Sequence, residues 1–108
     1  MPKDDRVYAG HMLDLARKAQ TLLGAKPLEE LARDETLLLA LTHLVQTIGE
    51  AARNVSPPFQ AQHADIPWKE IIGMRHKVVH DYLDVDPDIV WHVVAEELGP
   101  IIERLARI

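Results

Sequence analysis

The sequence predicts an all-α fold, an antiparallel four-helix bundle with short extra helical turns, and three observations carry that prediction. Apolar residues recur at steps of three and four through most of the chain, the spacing that lines one face of a helix. Capping residues and prolines stand where these stretches begin, and glycine or proline where they end. No β-branched alternating run is bounded by hairpin turns, so no strand pair is expected.

The first helix begins at Asp4 or Asp5, either of which can cap it, and its stripe is Tyr8, Met12, Leu15, Ala19 and Leu22 until Gly24 offers a stop. Pro27-Leu28-Glu29-Glu30-Leu31-Ala32 suits a short helical turn. Asp34 then caps a second long helix with the stripe Leu37, Leu41, Leu44, Ile48, Ala51 and Val55. Ser56-Pro57-Pro58 ends it, and the polar stretch from Phe59 to Asp65 is a connector in which a turn of helix can begin at Ser56. Pro67 opens the third long helix, whose stripe is Trp68, Ile72, Arg75, Val79 and Tyr82. Asp86-Pro87 has the cap-then-proline form of a helix start, and Ile89, Val90, Val93, Val94, Leu98, Ile101, Leu105 and Ile108 give the fourth helix its apolar face. Gly99-Pro100 is expected to kink or break that helix. Four principal helices joined by short connections pack most simply as an antiparallel bundle. Gly49 with Ala51 and Ala52 allows close helix approach at mid-bundle, with ordinary small-residue packing as the plainer reading.

A chain of 108 residues has the usual size of one domain, so residues 1–108 are expected to form one. There is no cysteine, which excludes a disulfide framework and a thiolate metal cage and suits a reducing cytosol. The charged start Met1-Pro2-Lys3-Asp4-Asp5 lacks the apolar run of a signal peptide. No segment reaches the ~18 uninterrupted apolar residues of a membrane span, so the expectation is a soluble, cytoplasmic protein with no membrane partner. Twelve basic residues stand against seventeen acidic ones, a formal charge of −5. That balance argues against a broad, nonspecific grip on nucleic acid, which needs many phosphate contacts from Lys and Arg. Any such chemistry must be local, and Arg75 and Lys77 with two neighbouring imidazoles form a small, potentially cationic island suited to one or two phosphates.

The chemistry concentrates in Arg75-His76-Lys77-Val78-Val79-His80-Asp81-Tyr82, read as part of the third helix. An always-charged phosphate binder stands there beside a group that titrates near neutrality. Arg75 occupies a stripe position that asks for a hydrophobe. An unpaired guanidinium is costly to bury, so Arg75 should meet an acid, a carbonyl, a phosphate or a partner subunit; the structural alternative is a salt bridge with Glu50 or Asp81. At about 100° per residue, Arg75 and Tyr82 lie nearly in line, whereas Arg75 and His80 diverge by roughly 140° and flank a groove. Gly73, His76 and His80 form a second row, and the missing side chain at Gly73 leaves room for a ligand or another helix. His76 and His80 have metal-chelating spacing with Asp84 as a third ligand, but the glutamate and distant third histidine of zinc helices are absent, and no metal is assigned. His11, His43, His63 and His92 share no spacing and read as structural. Tyr82 alone is an ordinary amphipathic residue at a helix end.

Arg75 through His80 matches R-x4-H, and the continuation to Tyr82 matches R-x4-H-x-Y. With Ile48-Gly49-Glu50-Ala51-Ala52, the lead-in Ile66-Pro67-Trp68-Lys69-Glu70-Ile71-Ile72-Gly73-Met74, the sequel Val85-Asp86 through Val90-Trp91, and His11-Met12-Leu13, the chain resembles HEPN domains, and among them HepT-like toxins, over nearly its whole length. One departure is His76, where a polar residue such as Asn is common in the family. The resemblance implies a HEPN-like homodimer whose motif helices line a shared cleft and a ribonuclease that needs no metal or other cofactor. It implies Arg75 and His80 as catalytic residues, with His76 as a further titrating group able to assist. It also implies a toxin whose antitoxin, a minimal nucleotidyltransferase, attaches AMP to Tyr82. The alternative is a noncatalytic HEPN dimer that binds a nucleotide or the nucleotidyltransferase.

Overall fold

Asp4 accepts a hydrogen bond from the Arg6 N–H at 2.8 Å and so starts α1, Asp5–Leu23. The computed structural model describes residues 4–81 and 84–108, with the side chains of His80 and Asp81 outside the description. Gly24, at φ 58°, closes α1 by returning its N–H to the Gln20 carbonyl. After α2, Leu28–Ala32, Asp34 caps α3, Glu35–Arg53, by accepting from the Leu37 N–H at 3.0 Å. Ser56 caps α4, Pro57–Gln62. Its own N–H and hydroxyl donate to the two carboxylate oxygens of Asp5 at 2.8 and 2.7 Å, which ties the first turn of α1 to the start of α4.

α5 spans Trp68–Val78 and passes directly into β1, Val79–Asp81, which pairs antiparallel with β2, Asp84–Val85, Val79 lying opposite Val85. Both the helix expected to run through Tyr82 and the absence of strands are therefore corrected. Val79 is already extended, at φ −128° and ψ 106°. The β-branched pair Val79 and Val85 favours a pleated ribbon over a further helical turn. Two strands this short are invisible to a period-2 search. Tyr82 lies outside the described residues.

The last long helix is composite: α6, Pro87–His92, a π-helical turn, Val93–Glu97, and α7, Leu98–Leu105. The Leu98 N–H reaches back five residues to the Val93 carbonyl. Pro100 has no N–H to offer the carbonyl of Glu96, and the wide turn lies just before it. The break expected at Gly99-Pro100 is thus displaced toward the N-terminus and absorbed without ending the helix.

α3 lies at the centre, packed by α1 on one side and α5 on the other, with α7 against α1 and α2 against α6. Met12, Leu31, Leu41, Val45, Ile48, Ile71, Val78, Val90, Val93, Val94 and Leu98 are fully buried. The residues expected to line α3 are buried from Leu41 on, with Val55 lying just past the end of the helix. In α1 Met12 and Ala19 are buried as expected, whereas Ala9, Ala16 and Leu23 are buried in place of their neighbours Tyr8, Leu15 and Leu22, the last of these 41% exposed. Small alanines bring α1 close to its neighbours, a role that larger hydrophobes were expected to fill. α5 keeps Trp68 but buries Ile71, Met74 and Val78, each one residue before the expected Ile72, Arg75 and Val79. Among the described residues no helix is long and apolar enough to cross a membrane.

Candidate active site

Because α5 buries Met74 and not Arg75, the guanidinium sits beside the apolar face and its side chain is 47% exposed. The cost of burying an arginine, expected from its place in the stripe, does not arise. What positions Arg75 is the crossing of α3 and α5. A Cβ at Gly49 would meet the Ile71 carbonyl oxygen at 3.1 Å, that of Ile72 at 3.4 Å and the Arg75 backbone nitrogen at 3.7 Å. Glycine here lets the two backbones approach, the close helix approach that the sequence allowed at this position. The next residue, Glu50, meets Arg75: Nη1 donates to Oε1. Arg53, one turn on, lies 3.9 Å from the same oxygen. Glu50 is 43% exposed, and ion pairs this open contribute about 0–1 kcal/mol. A phosphate that accepts two parallel, charge-assisted bonds from Arg75 can displace the carboxylate at little cost.

The remaining motif residues are dispersed. His76 is exposed in the last turn of α5. Lys77 donates to both oxygens of Glu97 at 3.1 and 3.3 Å, so it braces α5 against the π-helical turn. The expected cationic island is therefore largely neutralised, since both cations face carboxylates. Gly73 is exposed, with open space where a Cβ would stand. The backbone of His80 belongs to β1, so Arg75 and His80 are carried by different elements. The metal set of His76, His80 and Asp84 includes a side chain outside the described residues. Among the described residues, no three His, Asp or Glu side chains are grouped to hold a metal.

Two adjoining concavities meet at Glu50. The one at Arg75, about 350 Å³, is lined by His43, Gln46, Thr47, Glu50 and Arg75. The other, about 440 Å³, lies between α1 and α3 and includes Tyr8, His11, Asp14, Thr47, Glu50 and Asn54. His11 and His43, read as structural, are both exposed, and each lines one of these concavities. For His43 the signal was present in α3: His43, Gln46, Thr47 and Glu50 follow steps of three, one and three on a face away from the apolar stripe. His63 and His92 make local contacts. The His63 ring lies 4.5 Å from that of Phe59 and its carbonyl accepts from the Trp68 indole at 3.0 Å, while His92 pairs with Glu96.

Residues 12–108 match the family model described as Ribonuclease HepT-like. "Putative RNase TTE0752" of Caldanaerobacter subterraneus is 30% identical over 98% of this chain and 95% of its own length. "Probable ribonuclease HepT" of Thermococcus cleftensis is 34% identical over 65% of this chain and 64% of its own. "Gamma-glutamylcyclotransferase and putative RNase MJ0434" of Methanocaldococcus jannaschii is 28% identical over the whole of this chain, which spans 49% of that protein. No solved structure matches the chain.

Proposed function

The chain belongs to the HepT-like ribonuclease family, and on that premise we propose that it is a metal-independent endoribonuclease whose catalytic residues are Arg75 and His80. The observation that carries this reading is Arg75 itself, a half-exposed guanidinium held at the edge of a groove by a carboxylate it can exchange for phosphate. In the proposed reaction the His80 imidazole takes the proton of a ribose 2′-hydroxyl. The 2′-oxygen bonds to phosphorus as the bond to the 5′-oxygen breaks, and Arg75 donates to the phosphate oxygens as charge builds. The departing 5′-oxygen takes a proton from His80 of a second chain in a homodimer, or from His76. The products are a 2′,3′-cyclic phosphate and a 5′-hydroxyl.

In the same proposal the enzyme is the toxin of a toxin–antitoxin pair. A minimal nucleotidyltransferase silences it by joining AMP to the Tyr82 hydroxyl, and the added phosphate repels RNA. End-group analysis of the RNA products tests the chemistry: 3′-phosphate ends formed without a cyclic intermediate would contradict it. Mass spectrometry after co-expression with the nucleotidyltransferase tests the control, with an AMP adduct expected on Tyr82 and an unmodified Tyr82 contradicting it. A second reading, a noncatalytic dimer that binds a nucleotide or the nucleotidyltransferase, draws support from the formal charge of −5 and from the carboxylates already facing Arg75 and Lys77. Nucleotide binding weakened by Arg75→Ala, in a protein that leaves RNA intact, would select it.

A further inference from the structure

We propose that the concavity between α1 and α3 is a nucleobase subsite, taking the base next to the phosphate at Arg75 and favouring guanine. This deepens the ribonuclease reading and rests on it for the identity of the phosphate. The two concavities share Thr47 and Glu50, so a nucleotide with its phosphate at Arg75 has the α1–α3 groove as its neighbour. At about 440 Å³ the groove falls in the range of roughly 300–1,000 Å³ that holds small molecules. Its walls carry two rings, Tyr8 and His11, set edge to face with centroids 6.4 Å apart and planes at 86°. Such rings give a base a face to stack on and an edge to abut.

The polar lining selects among bases. Asp14 presents a carboxylate, which when ionised only accepts hydrogen bonds. The Thr47 hydroxyl donates to the His43 carbonyl at 2.7 Å, so its oxygen faces other partners as an acceptor. The Asn54 amide nitrogen donates to the Glu50 carbonyl at 2.9 Å, which assigns the other amide atom as the oxygen, again an acceptor. These three acceptors ask for a ligand rich in donors. Guanine offers N1–H and the N2 amino group side by side, a match for one carboxylate; adenine and cytosine offer an amino group alone, and uracil a single imide N–H.

The test is NMR titration of the full chain with guanosine, adenosine, cytidine and uridine 3′-monophosphates, which have no bond to cleave. The expected result is tightest binding of the guanosine nucleotide, with the ring resonances of Tyr8 and His11 shifting. His11→Ala should weaken it about tenfold through lost stacking, and Asp14→Asn should bring the four nucleotides to similar affinity. Both residues are exposed, so neither variant threatens the fold. Equal affinity for all four in the unaltered protein, or ring resonances that stay still, would overturn the subsite. So would burial of His11 that depends on protein concentration and excludes nucleotide, which would assign the groove to a second copy. RNA cleavage with the same site choice in Asp14→Asn removes the subsite and leaves the ribonuclease. Guanosine nucleotide binding at Tyr8 and His11 without RNA cleavage leaves the base site and removes the ribonuclease.

Discussion

Glu50 holds Arg75 and also competes with any phosphate for it, so its charge should weaken substrate binding more than it stabilises the fold. Two unit charges 4 Å apart in water interact by about 1 kcal/mol, and the pair is nearly half exposed on both sides. Glu50→Gln is therefore expected to lower KM for a short RNA severalfold while shifting unfolding free energy by less than ~1 kcal/mol. A raised KM would mean that the carboxylate chiefly aims the guanidinium. At this scale the sequence was only partly legible. Arg75 stood out as a cation among hydrophobes, and Glu50 as its possible acid. The phase of α5 was not legible, because Met74 and Arg75 are adjacent and a periodic stripe can be drawn through either. His43 could not be grouped with Arg75 from spacing, since the two come together through the packing of α3 on α5, and His11 lines the adjoining groove through the packing of α1 on α3.

The crossing of α3 and α5 depends on Gly49, and alanine there sets two effects against each other. Helix propensity gains about 1 kcal/mol, whereas pressing a methyl against the Ile71 carbonyl, a backbone atom of a helix, costs about 1–3 kcal/mol. Gly49→Ala is thus expected to destabilise the fold by about 1 kcal/mol in urea unfolding and to reduce activity by moving Glu50 and Arg75 apart; a stabilised variant would show that α5 yields freely. The junction of α1 with α4 makes a pH prediction. Hydrogen bonds from the Ser56 hydroxyl and N–H hold the Asp5 carboxyl below its ordinary value of 3.8. A lowered folded value means that this stabilisation is present above about pH 4 and is lost as pH falls through the folded value. The melting temperatures of the unaltered protein and Asp5→Asn should converge as pH drops below that range, and a constant gap would contradict the coupling. Helix starts were legible because Asp4, Asp34, Ser56 and Asp86 all cap as their positions imply. The β1–β2 ribbon was not, because it arises from the pairing of two very short segments rather than from a local pattern.

For the molecule as a whole, a formal charge of −5 with local carboxylates at both motif cations leaves few phosphate contacts available. For single strands the logarithm of the binding constant falls with that of salt by about 0.7 per phosphate contact, so one or two contacts per chain predict a slope of about −0.7 to −1.4. A slope near −5, roughly seven contacts on the same scale, would contradict this and reveal a broad basic surface. The all-α architecture was legible because its signals are local and repeated along the chain. The meeting of elements at Glu50 is a property of the assembled bundle. The central claim is that Arg75 and His80 cut RNA without a metal. The most direct measurement is RNA cleavage in EDTA by the purified protein, Arg75→Ala and His80→Ala, each shown by circular dichroism to be folded. Cleavage by the unaltered protein with losses of about 10²-fold or more in each variant is the predicted result, and undiminished cleavage in either folded variant would contradict it.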